Sequence, residues 1–245
     1  MGARLPQREA GAMITVSNLT KNYGPTTVVD DVTFRAAPGR VTGFLGANGA
    51  GKSTTMRMVC GMTAPTSGSA LVHGQRFRDL PNPGRQIGVL LDAGAQHMGR
   101  TGRETLTLSA LQMGVPRRRV DEVLDLVQLD RKAARKRVGA YSLGMRQRLG
   151  IANALLGSPT ALMLDEPANG LDPSGIRWMR QLLRSFADDG GTVLLSSHLL
   201  HEVELVADDL VVIAEGRIVA RGEVAEFTAS GARSLEDVFF SITAA

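Results

Sequence analysis

Lys52 closes a run of small residues, GANGAGKST from Gly46 to Thr54, and a lysine behind glycines with a hydroxyl pair after it suits a polyphosphate. The glycines Gly46, Gly49 and Gly51 let backbone N–H groups approach phosphate oxygens closely. Lys52 would reach the terminal phosphates, and the Ser53 hydroxyl would face Mg²⁺. Farther along, LMLDEP (Leu162 to Pro167) reads as a buried strand that delivers two carboxylates at its C-terminal end. Asp165 would hold Mg²⁺, directly or through water, and Glu166 would orient and deprotonate an attacking water. His198 ends a third apolar run through Ser196 and Ser197, so it is expected at the same edge, where a neutral imidazole can donate one hydrogen bond to a phosphate. The expected chemistry is hydrolysis of a nucleoside triphosphate, with Lys52, Glu166 and His198 as its catalytic groups.

These residues need a sheet and helices to carry them. Ile14 to Val16, Val28 to Phe34, Val41 to Leu45 and Ala70 to His73 are rich in β-branched residues between turn signals and read as strands. A helix opens at the end of the phosphate loop, with Met56, Met58 and Val59 turned inward. Strand, glycine-rich turn and helix is the context a phosphate loop requires. From about Gln96 to Ser158 the apolar period is helical, with Leu106, Val123, Leu124, Val127, Leu149 and Ile151 on the inner faces. Ala161 to Leu164, Val193 to Ser196 and Leu210 to Ile213 are short apolar runs separated by amphipathic stretches, as in parallel strands with crossover helices. Ile218 to Ala220 follows a turn, and Leu235 to Ile242 reads as a peripheral helix.

The chain has 245 residues, 43% of them hydrophobic, enough for a real core without cross-links. Its one cysteine, Cys60, lies among apolar residues and is expected in the core; no disulfide can form within the chain, which suits a reducing cytosol. No stretch approaches the roughly 20 apolar residues of a membrane-spanning helix. Residues 1–12 read as a disordered tail rather than a signal peptide, with Met13 an alternative start. The net charge is +4, densest from Arg117 to Arg119 and from Arg131 to Arg137. Without interleaved aromatic residues that cluster reads as a solvated helix face, and no nucleic-acid partner is expected.

YSLGMRQR, Tyr141 to Arg148, is similar to the LSGGQ signature of ATP-binding cassette (ABC) transporters, which ordinary phosphate-loop kinases and GTPases lack. With the motifs above, the chain resembles the ATPase subunit of such a transporter over nearly all of Met13 to Thr243. The resemblance implies an α/β fold: a P-loop NTPase core with a mainly parallel sheet, an N-terminal antiparallel β subdomain and an α-helical subdomain inserted at about 96–158. The ATPase domain would span 13–230, followed by a peripheral helix at 231–245. In the family two subunits pair head to tail, and the signature of one closes on ATP held by the other. Ser142, the Gly144 amide and the helix start behind them would then donate to the γ-phosphate. By position Asn48, Gly51 and Thr54 complete the phosphate cradle, Tyr23 resembles the aromatic that stacks on adenine, and Asp172 in NGLD resembles the aspartate linking the two sites.

Two departures stand out. Leu143 and Met145 replace a glycine and a glutamine of the signature. Asp92, in IGVLLD, stands where the family has a glutamine touching Mg²⁺ and the attacking water; it is shorter and charged, and Gln96 comes four residues late. Asp92 joins Ser53 and Asp165 as the expected metal ligands. The implied function is ATP binding and hydrolysis, with ATP and Mg²⁺, powering a separate integral-membrane permease from the cytoplasmic face of the membrane as a peripheral homodimer. The resemblance to ABC-2-type subunits implies export of a small hydrophobic or antibiotic-like compound. The competing readings are a soluble cassette acting on ribosomes or nucleic acid, and a regulatory ATP-binding module.

Overall fold

The computed structural model describes residues 14–229, 235–237 and 239. The expected tail at 1–12 and most of the expected C-terminal helix lie outside the described residues; residues 235–237 and 239 are helical. In chain order the elements are β1 (Ile14–Tyr23), β2 (Thr26–Ala36), β3 (Val41–Leu45), α1 (Lys52–Val59), β4 (Ser67–Val72), β5 (Ile87–Leu90), α2 (Gly102–Met113), α3 (Arg118–Leu126), α4 (Arg131–Arg135), α5 (Leu143–Leu156), β6 (Ala161–Asp165), α6 (Pro173–Asp188), β7 (Thr192–Ser197), α7 (Leu200–Glu204), β8 (Asp209–Ala214), β9 (Arg217–Glu223) and α8 (Val224–Ala229).

The strands form two sheets, one of order β2-β1-β4 and one of order β5-β6-β7-β3-β8-β9. The first is antiparallel throughout; the second is parallel except for β9, which returns antiparallel beside β8. β3 and β7 are buried along their whole length, because layers cover both faces of the large sheet and leave no solvent side for alternation. On one face a core formed by the small sheet and α1 includes Phe34, Phe44, Met56 and Met163. Another core gathers Leu106, Val123, Leu149, Ile151, Leu183 and Phe186 from α2, α3, α5 and α6. Phe34 and Phe44 stack with ring centroids 5.1 Å apart, joining the small sheet to β3. Cys60 is buried as expected, and burial pushes its thiol pKa up.

Several strand boundaries differ from the sequence reading, and in β1 and β4 the reason is local. β1 runs on to Tyr23 rather than stopping at Val16, because its pairing with β2 shifts between Val16 and Leu19, around Asn18 at φ 48°. A bulge takes up one residue and restarts the alternation. β4 starts earlier, at Ser67, and ends before His73, which turns at φ 52°. The stretch expected to be helical contains α2 to α5, and the Arg and Lys side chains at positions 117, 118, 131, 132 and 135–137 are exposed. α2 starts at a capping box: the Thr101 hydroxyl accepts from the Glu104 amide at 3.2 Å, and the Glu104 carboxylate accepts from the Thr101 amide at 2.8 Å.

Candidate functional site

Strand register alone brings three of the sequence segments to one edge. Leu45 pairs with Ser197, and Asp165 pairs with Ser196, in parallel ladders. The phosphate loop after Leu45, Glu166 after Asp165 and His198 after Ser197 therefore emerge side by side at the carboxyl ends of adjacent strands. No helix or long loop has to fold over to assemble them.

The loop from Gly46 to Gly51 wraps the start of α1. Gly51 sits at φ 106°, and a Cβ there would lie 2.8 Å from the Val28 carbonyl, so the position admits glycine alone. Lys52 is buried, and its Nζ donates to the Gly46 carbonyl at 2.6 Å and the Ala47 carbonyl at 3.1 Å. Burial lowers the Lys52 pKa, while the negative charges of Glu166 and Asp165 pull it the other way. Asn48, Gly49 and Ser53 are exposed and Thr54 is half-buried. Tyr23, at the end of β1, is 52% exposed, and the Lys21 ammonium lies 4.9 Å from its ring centroid.

Asp165 is half-buried, and the buried Ser196 hydroxyl donates to its Oδ1. Glu166 follows in the left-handed region, at φ 50°. Its N–H meets the Ser196 carbonyl at 3.2 Å and Oγ at 3.1 Å, and its carbonyl accepts from Asn169 N–H at 3.1 Å and from Gln147 Nε2 at 2.8 Å. Its carboxylate crosses to His198, whose Nδ1 lies 2.6 Å from Oε2. Sequence reasoning did not assign Ser196 or Gln147 a part here; both act across strands or from a helix 19 or more residues away, a relation no local pattern carries.

Ser142 is the N-cap of α5, and its hydroxyl accepts from the Met145 amide at 3.2 Å, which leaves its own O–H free to donate outward. The amides of Leu143 and Gly144 fall in the first turn, where a helix has no internal acceptor for them. A Cβ on Gly144 would lie 2.6 Å from the Gly170 carbonyl, so the surviving glycine of the signature is the one pressed against backbone. Leu143 is half-exposed beside the same residue. Asp172 caps α6, accepting from the Gly175 amide and the Ser174 hydroxyl, both at 2.9 Å; these bonds hold its pKa below the usual carboxylate range.

Asp92 leaves β5, on the outer strand of the sheet. Its Oδ1 accepts from the Gly94 amide at 2.6 Å, and the residue lines a cleft of about 590 Å³ with Arg57, Gln96 and Asn153. Gln96 does not take its place. It turns toward α5, where Nε2 donates to the Arg146 carbonyl at 2.9 Å.

The oxygen set fits Mg²⁺. The Ser53 hydroxyl and the Asp165 carboxylate would offer two hard oxygen ligands, a donor set that suits a cation which keeps most of its waters. Among the described residues no cluster of three His, Cys, Asp or Glu offers an all-protein cage.

A phosphate loop, an Asp–Glu strand end, a facing histidine and a signature helix on this mixed sheet define an ATP-binding cassette. The chain belongs to the ABC transporter family, whose sequence model matches residues 29–169, and it is an ATP-binding, ATP-hydrolysing subunit. It is 37% identical over 229 residues to the lantibiotic transport ATP-binding protein SrtF of Streptococcus pyogenes, covering 93% of this chain and 96% of the relative. It is 42% identical over 210 residues to the bacitracin transport ATP-binding protein BcrA of Bacillus licheniformis, covering 84% and 68%. A solved structure described as the ATP-binding subunit of an ABC transporter superposes with a TM-score of 0.86 at 30% identity, over 94% of this chain and 99% of that one.

Proposed function

We propose that this subunit binds Mg²⁺ and ATP at the edge formed by β3, β6 and β7, and powers a separate membrane permease that exports a small hydrophobic or antibiotic-like compound. The observation carrying the site is the shared register that sets Lys52, Asp165, Glu166 and His198 at one strand edge. The cargo class is supported by relatives named for bacitracin and lantibiotic transport, and the direction by one named for Nod factor export. No helix among the described residues is long and apolar enough to cross a membrane. The subunit would work as a peripheral homodimer on the cytoplasmic face.

The loop amides, with Asn48 and Thr54, cradle the phosphates, and Lys52 exchanges its loop carbonyls for the terminal phosphate oxygens. Ser53 and Asp165 would hold Mg²⁺, which would supply positive charge to offset that of the phosphates. Glu166 takes a proton from the attacking water, and His198 fixes the carboxylate by its bond to Oε2. Tyr23 stacks on the adenine. The Ser142 hydroxyl and the Gly144 amide of a second subunit close over the γ-phosphate, with Asp172 at the junction.

Glu166→Gln tests the base assignment. The amide keeps the shape but cannot accept the proton, so steady-state turnover should fall by about 10²- to 10⁴-fold while ATP affinity is retained. Turnover equal to wild type would sink it.

A further inference from the structure

Gln147 is a buried amide, 3% exposed, in the second turn of the helix that starts at the signature. A glutamine is rarely sealed into a helix face unless its polar atoms are matched. Its Nε2 is spent on one acceptor, the backbone carbonyl of Glu166, at 2.8 Å. That carbonyl belongs to the residue in this site with the least comfortable backbone, at φ 50° without being glycine. Such a conformation persists only where its surroundings determine it. Ser196 anchors the Glu166 N–H from β7, and Asn169 reaches the carbonyl from within the same loop. Gln147 is the bond that arrives from another body of the molecule.

The contact does not stand alone. The first turn of the same helix lies on the loop after Glu166, with Gly144 against the Gly170 carbonyl and Leu143 against Gly170. One rigid helix thus presents Ser142 at its start and grips Glu166 one turn further on.

We propose that Gln147 is a positioning residue for hydrolysis: it holds the Glu166 peptide so that the carboxylate meets His198, and it carries any shift of the signature helix to the glutamate of the same chain. The inference rests on the reading of Glu166 as the base. In the head-to-tail pair, Ser142 serves the other subunit's ATP. Seating of the signature at one site would then set the base at the other, through a single side chain.

Gln147→Met keeps length and volume and removes the donor. Turnover should fall at least tenfold, with the KM for ATP and the melting temperature close to wild type. In a Glu166→Gln background the same substitution should not lower single-turnover hydrolysis further, whereas a merely structural role would give a second, additive loss. Gln147→Glu supplies an independent readout and decides the matter should the methionine variant fail to fold. Its carboxylate repels the carbonyl, but its protonated form can donate, so its rate relative to wild type should climb as pH falls from about 8 to about 6, through the raised pKa that burial imposes. A folded Gln147→Met protein with wild-type turnover beside an inactive Glu166→Gln protein overturns the proposal and leaves the base assignment standing. An additive loss in the double variant, or a flat relative pH profile for Gln147→Glu, also overturns it.

Discussion

His198 and Asp92 show how far a neighbour decides what a polar side chain can do. An ionised carboxylate only accepts, so the 2.6 Å contact with Glu166 Oε2 requires the hydrogen on His198 Nδ1. A neutral ring is then left with an acceptor at Nε2, and only the imidazolium can donate from Nε2 to a γ-phosphate while Nδ1 stays engaged. This geometry runs against the expectation from sequence that a neutral His198 donates to phosphate. Asp92 is committed differently, since its Oδ1 closes a short turn onto the Gly94 amide. If its free oxygen contributes to the metal, Asp92→Gln should shift the Mg²⁺ concentration that half-saturates turnover. Identical Mg²⁺ titrations for variant and wild type would remove Asp92 from the site.

The elements divide sharply in how openly their sequences declare them. β3 occupies Val41–Leu45, the very residues of the apolar run, and β8 extends its run by one residue at each end. Strands covered on both faces need continuous apolar sequence, and that is easy to read. β1 was harder, because the bulge at Asn18 breaks its period and ITVSNLTKNY no longer alternates. Pairing partners were not legible at all: nothing in the composition of β4 says that it leaves the large sheet to lie beside β1. Gln147 was hidden for the same reason, since its partner is set by how a helix sits on a loop. The start of α2, in contrast, is written in Thr101 and Glu104. Thr101→Ala should cost about 1 kcal/mol of unfolding free energy, seen as a lower urea midpoint with an unchanged slope. An unchanged midpoint would mean that the packing of α2 on α5 holds the helix start without its cap.

At the scale of the molecule the site is divided. Lys52, Asp165, Glu166 and His198 share one strand edge, while Ser142 and Gly144 sit at the start of α5. If the signature completes the site of a second copy, Glu166→Gln with ATP and Mg²⁺ should scatter light at twice the monomer mass. Adding Ser142→Arg, which sets a bulky cation at the proposed seam, should restore the monomer. A monomer under both conditions would count against the head-to-tail pair. Far from that seam, Arg40 bridges Asp209 at 2.6 Å and Glu223 at 3.0 Å, and Arg184 bridges Asp208 at 2.8 Å, clamping the opposite end of the large sheet.

The burial of Cys60 has a practical side. It is the chain's one thiol, and it is 4% exposed with its ionisation suppressed, so a maleimide probe will leave it untouched in the folded state. The natural sequence is in effect already a cysteine-free background for labelling. Reporters at exposed positions outside both motifs, such as Gln75 after β4 and Gln112 in α2, can test whether the helical stretch moves against the small sheet when ATP and Mg²⁺ are added, without first rebuilding the core.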